Sequence, residues 1–221
     1  MTAFSPRGRL RKIIYSTGLV GSVSSGSKPR HKPPLLVIGE NAGFSAKDAE
    51  GEAHIELDWS RASYLDGEEW VLKARLRSLF QQADRLDVLR ESVFTNFNFF
   101  KSGSISRKSS HRWVDVDREV RKRVEAASIR ELRQLVHIMR PKKIMVLGMA
   151  GFDRHAQSTS TELRCSSSRR RLIATGELWS TPAFALMHPS GARWSENDNR
   201  VTAVWLRQHL LDNGTASSGS E

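Results

Sequence analysis

Four short apolar runs, each handing over to a polar segment, constrain the fold more than any other feature of this chain. They are Leu35-Leu36-Val37-Ile38, Ser92-Val93-Phe94-Thr95, Lys142 to Gly148 around Ile144-Met145-Val146-Leu147, and Pro182 to Met187. Runs of this length bounded by turn signals read as strands buried on both faces. Helical spacing fills the intervals. Leu72, Leu76, Leu79 and Phe80 share one face of a helix expected from about Glu68 to Ala83. A further helix begins within residues 115–126, and Ser128 with Glu131 resembles a capping box opening a separate helix over 128–140, stopped by Pro141. A last helix, Glu196 to Leu211, presents Val201, Val204, Trp205 and Leu211. Strands alternating with helices predict an α/β fold, a three-layer α/β/α sandwich around a central four-stranded parallel sheet.

In such sheets the loops at the carboxyl ends of the strands build the site. Gly39-Glu40-Asn41-Ala42-Gly43 follows the first run, and His188-Pro189-Ser190-Gly191-Ala192-Arg193 follows the last. Two polar, Gly-containing loops, one with an amide and one with an imidazole, read as two halves of one active site. Alone, Asn41 would read as a turn residue and His188 as a structural histidine. Together they read as functional. The remaining segments carry no apolar pattern: a long loop over 44–66, a basic loop from Lys101 to Arg112, and a Ser-rich segment carrying Arg169-Arg170-Arg171.

The net charge of +11 points toward a polyanion, because a fixed positive field attracts phosphates whatever their sequence. No acidic residue precedes Glu40, while Arg7, Arg9, Arg11, Lys12, Lys28, Arg30 and Lys32 do. Residues 1–33 therefore read as a basic arm touching DNA, with a transit-peptide-like segment or a misplaced start as rival readings. Residues 34–212 form one domain and 213–221 a frayed tail. The single Cys165 excludes an internal disulfide and any multi-cysteine zinc or iron–sulfur centre. There is no run of about 18 apolar residues, the minimum for a spanning helix, so no membrane partner is expected.

Gly-Glu-Asn-Ala-Gly after the first strand, Thr95-Asn96 after the second, Arg140-Pro141-Lys142-Lys143 leading the third and His-Pro-Ser-Gly after the fourth occur in a telling order. In that order they resemble the uracil-DNA glycosylase superfamily over roughly residues 35–210. The resemblance implies a monofunctional DNA glycosylase that hydrolyses the N-glycosidic bond of uracil or a modified pyrimidine flipped out of DNA, needs no metal or cofactor, and acts as a monomer in the cytoplasm, on the nucleoid in a bacterium.

It also implies roles. His188 donates to the O2 of the departing base, and Asn41 orients water where the superfamily's most active branch has Asp. An amide accepts hydrogen bonds but takes no proton, so slower chemistry is expected, with Glu40 the ionisable rival. Gly39, Glu40 and Gly43 line the base pocket, and Asn96 reads the pyrimidine edge, with Asn98 as fallback. Tyr64 or, as the other candidate, Phe44 stacks on the base. Ser190 and Gly191 offer backbone N–H groups to a phosphate. Ala192 is too small to fill the vacated stack, which leaves Arg193 or Trp194. Lys101, Arg107, Lys108, Arg112 and Arg169 to Arg171 are candidates for a DNA groove. The same chemistry aimed at modified phage DNA, or a silent DNA-binding member, are the alternatives. A nucleotide hydrolase is disfavoured, since no Gly-rich loop with Lys-Ser or Lys-Thr follows the first strand.

Overall fold

The computed structural model describes residues 31–43, 65, 71–102, 117–189 and 194–210. Strand β1 is Leu35–Gly43, followed by helices α1, Val71–Gln82, and α2, Leu86–Glu91, and by strand β2, Val93–Ser102. Helix α3, Arg118–Met139, leads to β3, Lys143–Leu147, and to the short α4, Met149–His155. Strands β4, Gln157–Arg164, β5, Arg171–Leu178, and β6, Thr181–Leu186, precede helix α5, Glu196–His209.

All six strands join one mixed sheet in the order β2-β1-β3-β6-β5-β4. The pairs β1–β2, β1–β3 and β3–β6 are parallel, whereas β5 runs antiparallel to both β6 and β4. The α/β class agrees with the sequence. The expected four-stranded, wholly parallel sheet is corrected to six strands and mixed pairing. The two additional strands come from the segment read as a Ser-rich loop. Six of the eight β4 residues are polar and consecutively exposed, so no alternation marked the strand; backbone pairing to β5 creates it.

Alternation along the central strands sends side chains to two cores. Leu35, Val37, Phe94, Met145, Leu147, Phe184 and Leu186 pack with residues of α1, α2 and α5. Leu36, Ile38, Val93, Phe97, Ile144, Val146 and Ala185 pack with α3 and with Phe152 of α4. Fully burying such a side chain contributes about 1.5–3 kcal/mol, so these faces fix the register. A slip by one residue would exchange them.

Helix α3 is one continuous 22-residue element, not two. Its cap is Asp117, whose carboxylate accepts from the N–H groups of Glu119 and Val120 at 2.9 and 3.1 Å. Those bonds hold the carboxyl below its ordinary value. Ser128 lies buried in the helix interior, so the Ser128–Glu131 pattern opens nothing. The C-terminal boundary is as expected. Arg140 adopts a left-handed conformation, φ 50°, before Pro141, and its N–H closes on the Val136 carbonyl.

The true capping box is at α5. Ser195 Oγ accepts from the Asp198 N–H at 3.0 Å, and Asp198 Oδ2 accepts from the Ser195 N–H at 3.1 Å. Asp198 Oδ1 also accepts from the Ser166 N–H and hydroxyl, so one fully buried carboxylate ties the β4–β5 turn to the helix. Burial pushes this carboxyl up, but the four hydrogen bonds together outweigh it and leave it below its ordinary value of 3.8. A depressed carboxyl contributes stability present above the unfolded pKa and lost as pH falls through the folded one. Asp198→Ala should therefore lower unfolding stability by about 1–3 kcal/mol in urea titrations at neutral pH, with the deficit shrinking below about pH 4.

Candidate functional site

The carboxyl ends of β2, β1, β3 and β6 lie side by side along one sheet edge, and Gly39, Asn41, Asn96 and His188 lie at or just beyond them. At β1 the register sets Gly39 opposite Asn96 and Asn41 opposite Asn98, with an irregularity between Asn41 and Ala42. Gly39 and Asn96 continue the face of Leu35, Val37 and Phe94. A Cβ on Gly39 would stand 2.5 Å from Asn96 Oδ1. Glycine at 39 thus lets the Asn96 amide lie across β1. Asn98 shares that face, as a continuing strand requires, but is buried, whereas Asn96 is partly exposed. Gly43 closes β1 opposite Ser102.

At the other half, β3 ends in Gly148. Its φ of 107° is a backbone state that residues with a Cβ rarely adopt. The Gly148 N–H donates to the Leu186 carbonyl at 2.8 Å, crossing from β3 to β6. A Cβ on Gly148 would lie 3.9 Å from His188 Cβ and 4.0 Å from His188 Cδ2. The imidazole therefore sits over the β3–α4 turn, half-buried. Burial pushes its pKa below the ordinary 6.5, so the neutral form dominates at neutral pH. A neutral imidazole carries one N–H donor and one acceptor. That makes it a hydrogen-bond donor to developing negative charge without a proton to lose first.

Glu40 takes a different position from its neighbours. It lies on the Leu36–Ile38 face, where its carboxylate pairs with Arg154 of α4, and Oε2 would stand 2.9 Å from a Cβ on Gly151. The same hypothetical Cβ would stand 2.6 Å from Phe97 Cε2, so Gly151 lets β1, β2 and α4 close together. His155 packs on Phe97 at 4.9 Å between ring centroids. Burial, and to a lesser degree the Arg154 charge, push its pKa down against the pull of Glu40. Glu40 thus points away from Asn96.

Two arginines of α1 reach the segments around this edge. Arg75 Nη1 donates to the carbonyl of Pro189, the residue after His188, and Arg77 Nη2 donates to the Leu65 carbonyl at 3.0 Å. Sequence reasoning missed both, together with Gly148, because each acts on backbone. Glycine at the end of an apolar run was the available signal for Gly148. The arginines left none.

Tyr64, Phe44, Ser190, Gly191 and Arg193 lie outside the described residues, as do Ala192, Arg107, Lys108 and Arg112. The backbones of Asn41, Gly43 and Lys101 are placed in their strands. Trp194 is partly buried against the core, and its indole nitrogen is buried without a partner among the described residues. Among those residues, no group of three or more His, Cys, Asp or Glu could hold a metal ion, and no helix is long and apolar enough to cross a membrane. No family model matches the chain, and no curated protein matches it.

Two outcomes test this geometry. In a two-dimensional NMR titration the His188 ring should titrate below 6.5 and stay neutral at pH 7. Because the unfolded chain binds that proton more tightly, acidification through 6.5 favours unfolding. Gly39→Ala should displace the Asn96 amide, visible as a large shift of its side-chain NH₂ resonances, and should cost about 1–3 kcal/mol of stability.

Proposed function

We propose that this chain is a monofunctional DNA glycosylase acting on uracil or a modified pyrimidine flipped out of DNA. The four strands β2-β1-β3-β6 are then the catalytic core of a three-layer α/β/α domain, and the β4–β5 hairpin is an extension of it. The observation that carries the reading is the half-buried His188 beside Gly148, on the sheet edge that also holds Gly39, Asn41 and Asn96. The order of motifs along the chain supports the same conclusion.

A base inside duplex DNA is out of reach, so the target nucleotide must leave the stack. Once it is bound, the bond between C1′ and N1 breaks and its electron pair stays with the base. The sugar gains oxocarbenium character, and negative charge grows on O2 of the pyrimidine. The His188 N–H stabilises that charge, an interaction stronger in the transition state than in the substrate. Water oriented by Asn41 adds to C1′ and gives up a proton to solvent, and the base anion takes one up, which leaves an abasic site and the neutral free base. The Asn96 amide, with a donor and an acceptor, matches the O4/N3 edge.

The pH dependence follows from the neutral imidazole. A neutral donor predicts base release that stays level between roughly pH 7 and 8.5; an essential imidazolium would lose activity there as it deprotonates. The test is release of free base, read by mass spectrometry, and alkali-labile abasic sites in a panel of genomic and phage DNAs. His188→Ala should slow release by about 10²–10³-fold, and Asn41→Ala should also lower it strongly. Undiminished base release by both variants would overturn the proposal.

A further inference from the structure

The turn between β4 and β5 carries Arg169 and Arg170, with Arg164 and Arg171 at the flanking strand ends, and the antiparallel hairpin brings it to the same edge as His188. β5 runs opposite to β6, so the start of β5 lies beside the end of β6: Ile173 pairs with Leu186, and the Met187 N–H donates to the Leu172 carbonyl at 2.9 Å. Cys165, which opens the turn, packs its sulfur 3.6 Å from that of Met187, the residue before His188.

The turn is also well fixed. The Cys165 N–H donates to the Arg170 carbonyl at 2.8 Å, and the Arg169 N–H donates to the Cys165 carbonyl at 3.2 Å. Arg164 Nη1 donates to the Arg169 carbonyl at 3.1 Å. Ser166 binds Asp198, the capping carboxylate of α5. Arg169 holds a left-handed backbone, φ 54°, which an ordered turn must impose on a residue with a Cβ.

The neighbouring carboxylates are all engaged elsewhere. Asp153 takes Arg171 in a two-pronged pair, Nη1 to Oδ1 at 2.9 Å and Nη2 to Oδ2. Asp198 serves Ser166 and Ser195. Glu162 accepts from Thr175 at 2.7 Å and from Ser160 at 3.0 Å. Of the run Arg169-Arg170-Arg171, only Arg171 is neutralised within the fold. Arg164, Arg169 and Arg170 remain exposed with no carboxylate partner among the described residues.

We infer that this turn is a phosphate-binding element that grips the DNA backbone beside the catalytic edge, through Arg169 and Arg170, with Arg164 bracing it. A planar guanidinium binds two phosphate oxygens at once, and the rigid turn lowers the cost of ordering the side chains. The inference rests on DNA as the partner of the proposed site. The hairpin supplies affinity and register and leaves the chemistry to the other loops.

The test is binding of the full chain to a fluorescent DNA duplex lacking any modified base, by anisotropy across a series of KCl concentrations. Each lost phosphate contact reduces the slope of log K against log salt by about one. R169A/R170A should weaken binding about tenfold or more at 0.1 M salt and reduce the slope by about one to two. Arg90→Ala with Lys142→Ala, at the opposite edge of the sheet, removes the same formal charge and should leave the slope unchanged. An unchanged slope in R169A/R170A, an equal loss in the control pair, or no DNA binding by the unaltered chain would each overturn the inference. Slope loss confined to R169A/R170A without base release from any DNA would uphold this surface and count against the glycosylase reading alone.

Discussion

The position of β3 between β1 and β6 is the constraint on which the rest depends. The carboxyl-terminal part of β1 carries Gly39-Glu40-Asn41, His188 follows the end of β6, and neither strand pairs with the other. Only the central β3, hydrogen-bonded to both, sets the distance between them. Its final turn extends the link, because the Gly148 N–H carries the β3–β6 ladder one bond beyond the strands. Glycine is required there by its φ of 107°, and the turn it makes lies within van der Waals reach of His188.

The two sides of β1 divide the labour around that edge. Gly39 faces the α1 side and yields its volume to the Asn96 amide, whereas Glu40 faces α4 and is held by Arg154. An alternating strand separates adjacent residues in this way without any further device. The Glu40 carboxylate is thereby kept off the face shared by Gly39 and Asn96. The half-buried imidazole completes the contrast: burial favours its uncharged form.

Much of this was legible in the sequence, for physical reasons that can be named. The four parallel strands announced themselves because burial on both faces demands uninterrupted apolar runs. Pro141 marked the end of α3 correctly. The start within 115–126 agrees with Arg118, but the helix was divided in two because Ser128-Ile129-Arg130-Glu131 satisfies a local capping pattern that a continuing helix overrides. The hairpin was hidden for another reason. β4 gains its order from pairing with β5, and a solvent-facing Ser/Thr strand has no hydrophobic signature. Within the site, Gly39, Asn96 and His188 were visible as residues next to strand ends. Arg75 was not, since a side chain that binds a distant main-chain carbonyl leaves no spacing to detect.

The same topology also governs when the site comes into being. Among the described residues β1 is the first strand and β6 the last, and the central β3 must join both before Gly39 and His188 share one edge. Contacts this far apart in sequence close late, because chain entropy opposes them until the intervening elements are in place. A partly folded or still-emerging chain can thus carry a basic surface and a formed helix, yet hold no assembled edge. The edge that holds Gly39, Asn96 and His188 is complete only with the closing strand, so incomplete forms of the fold lack it.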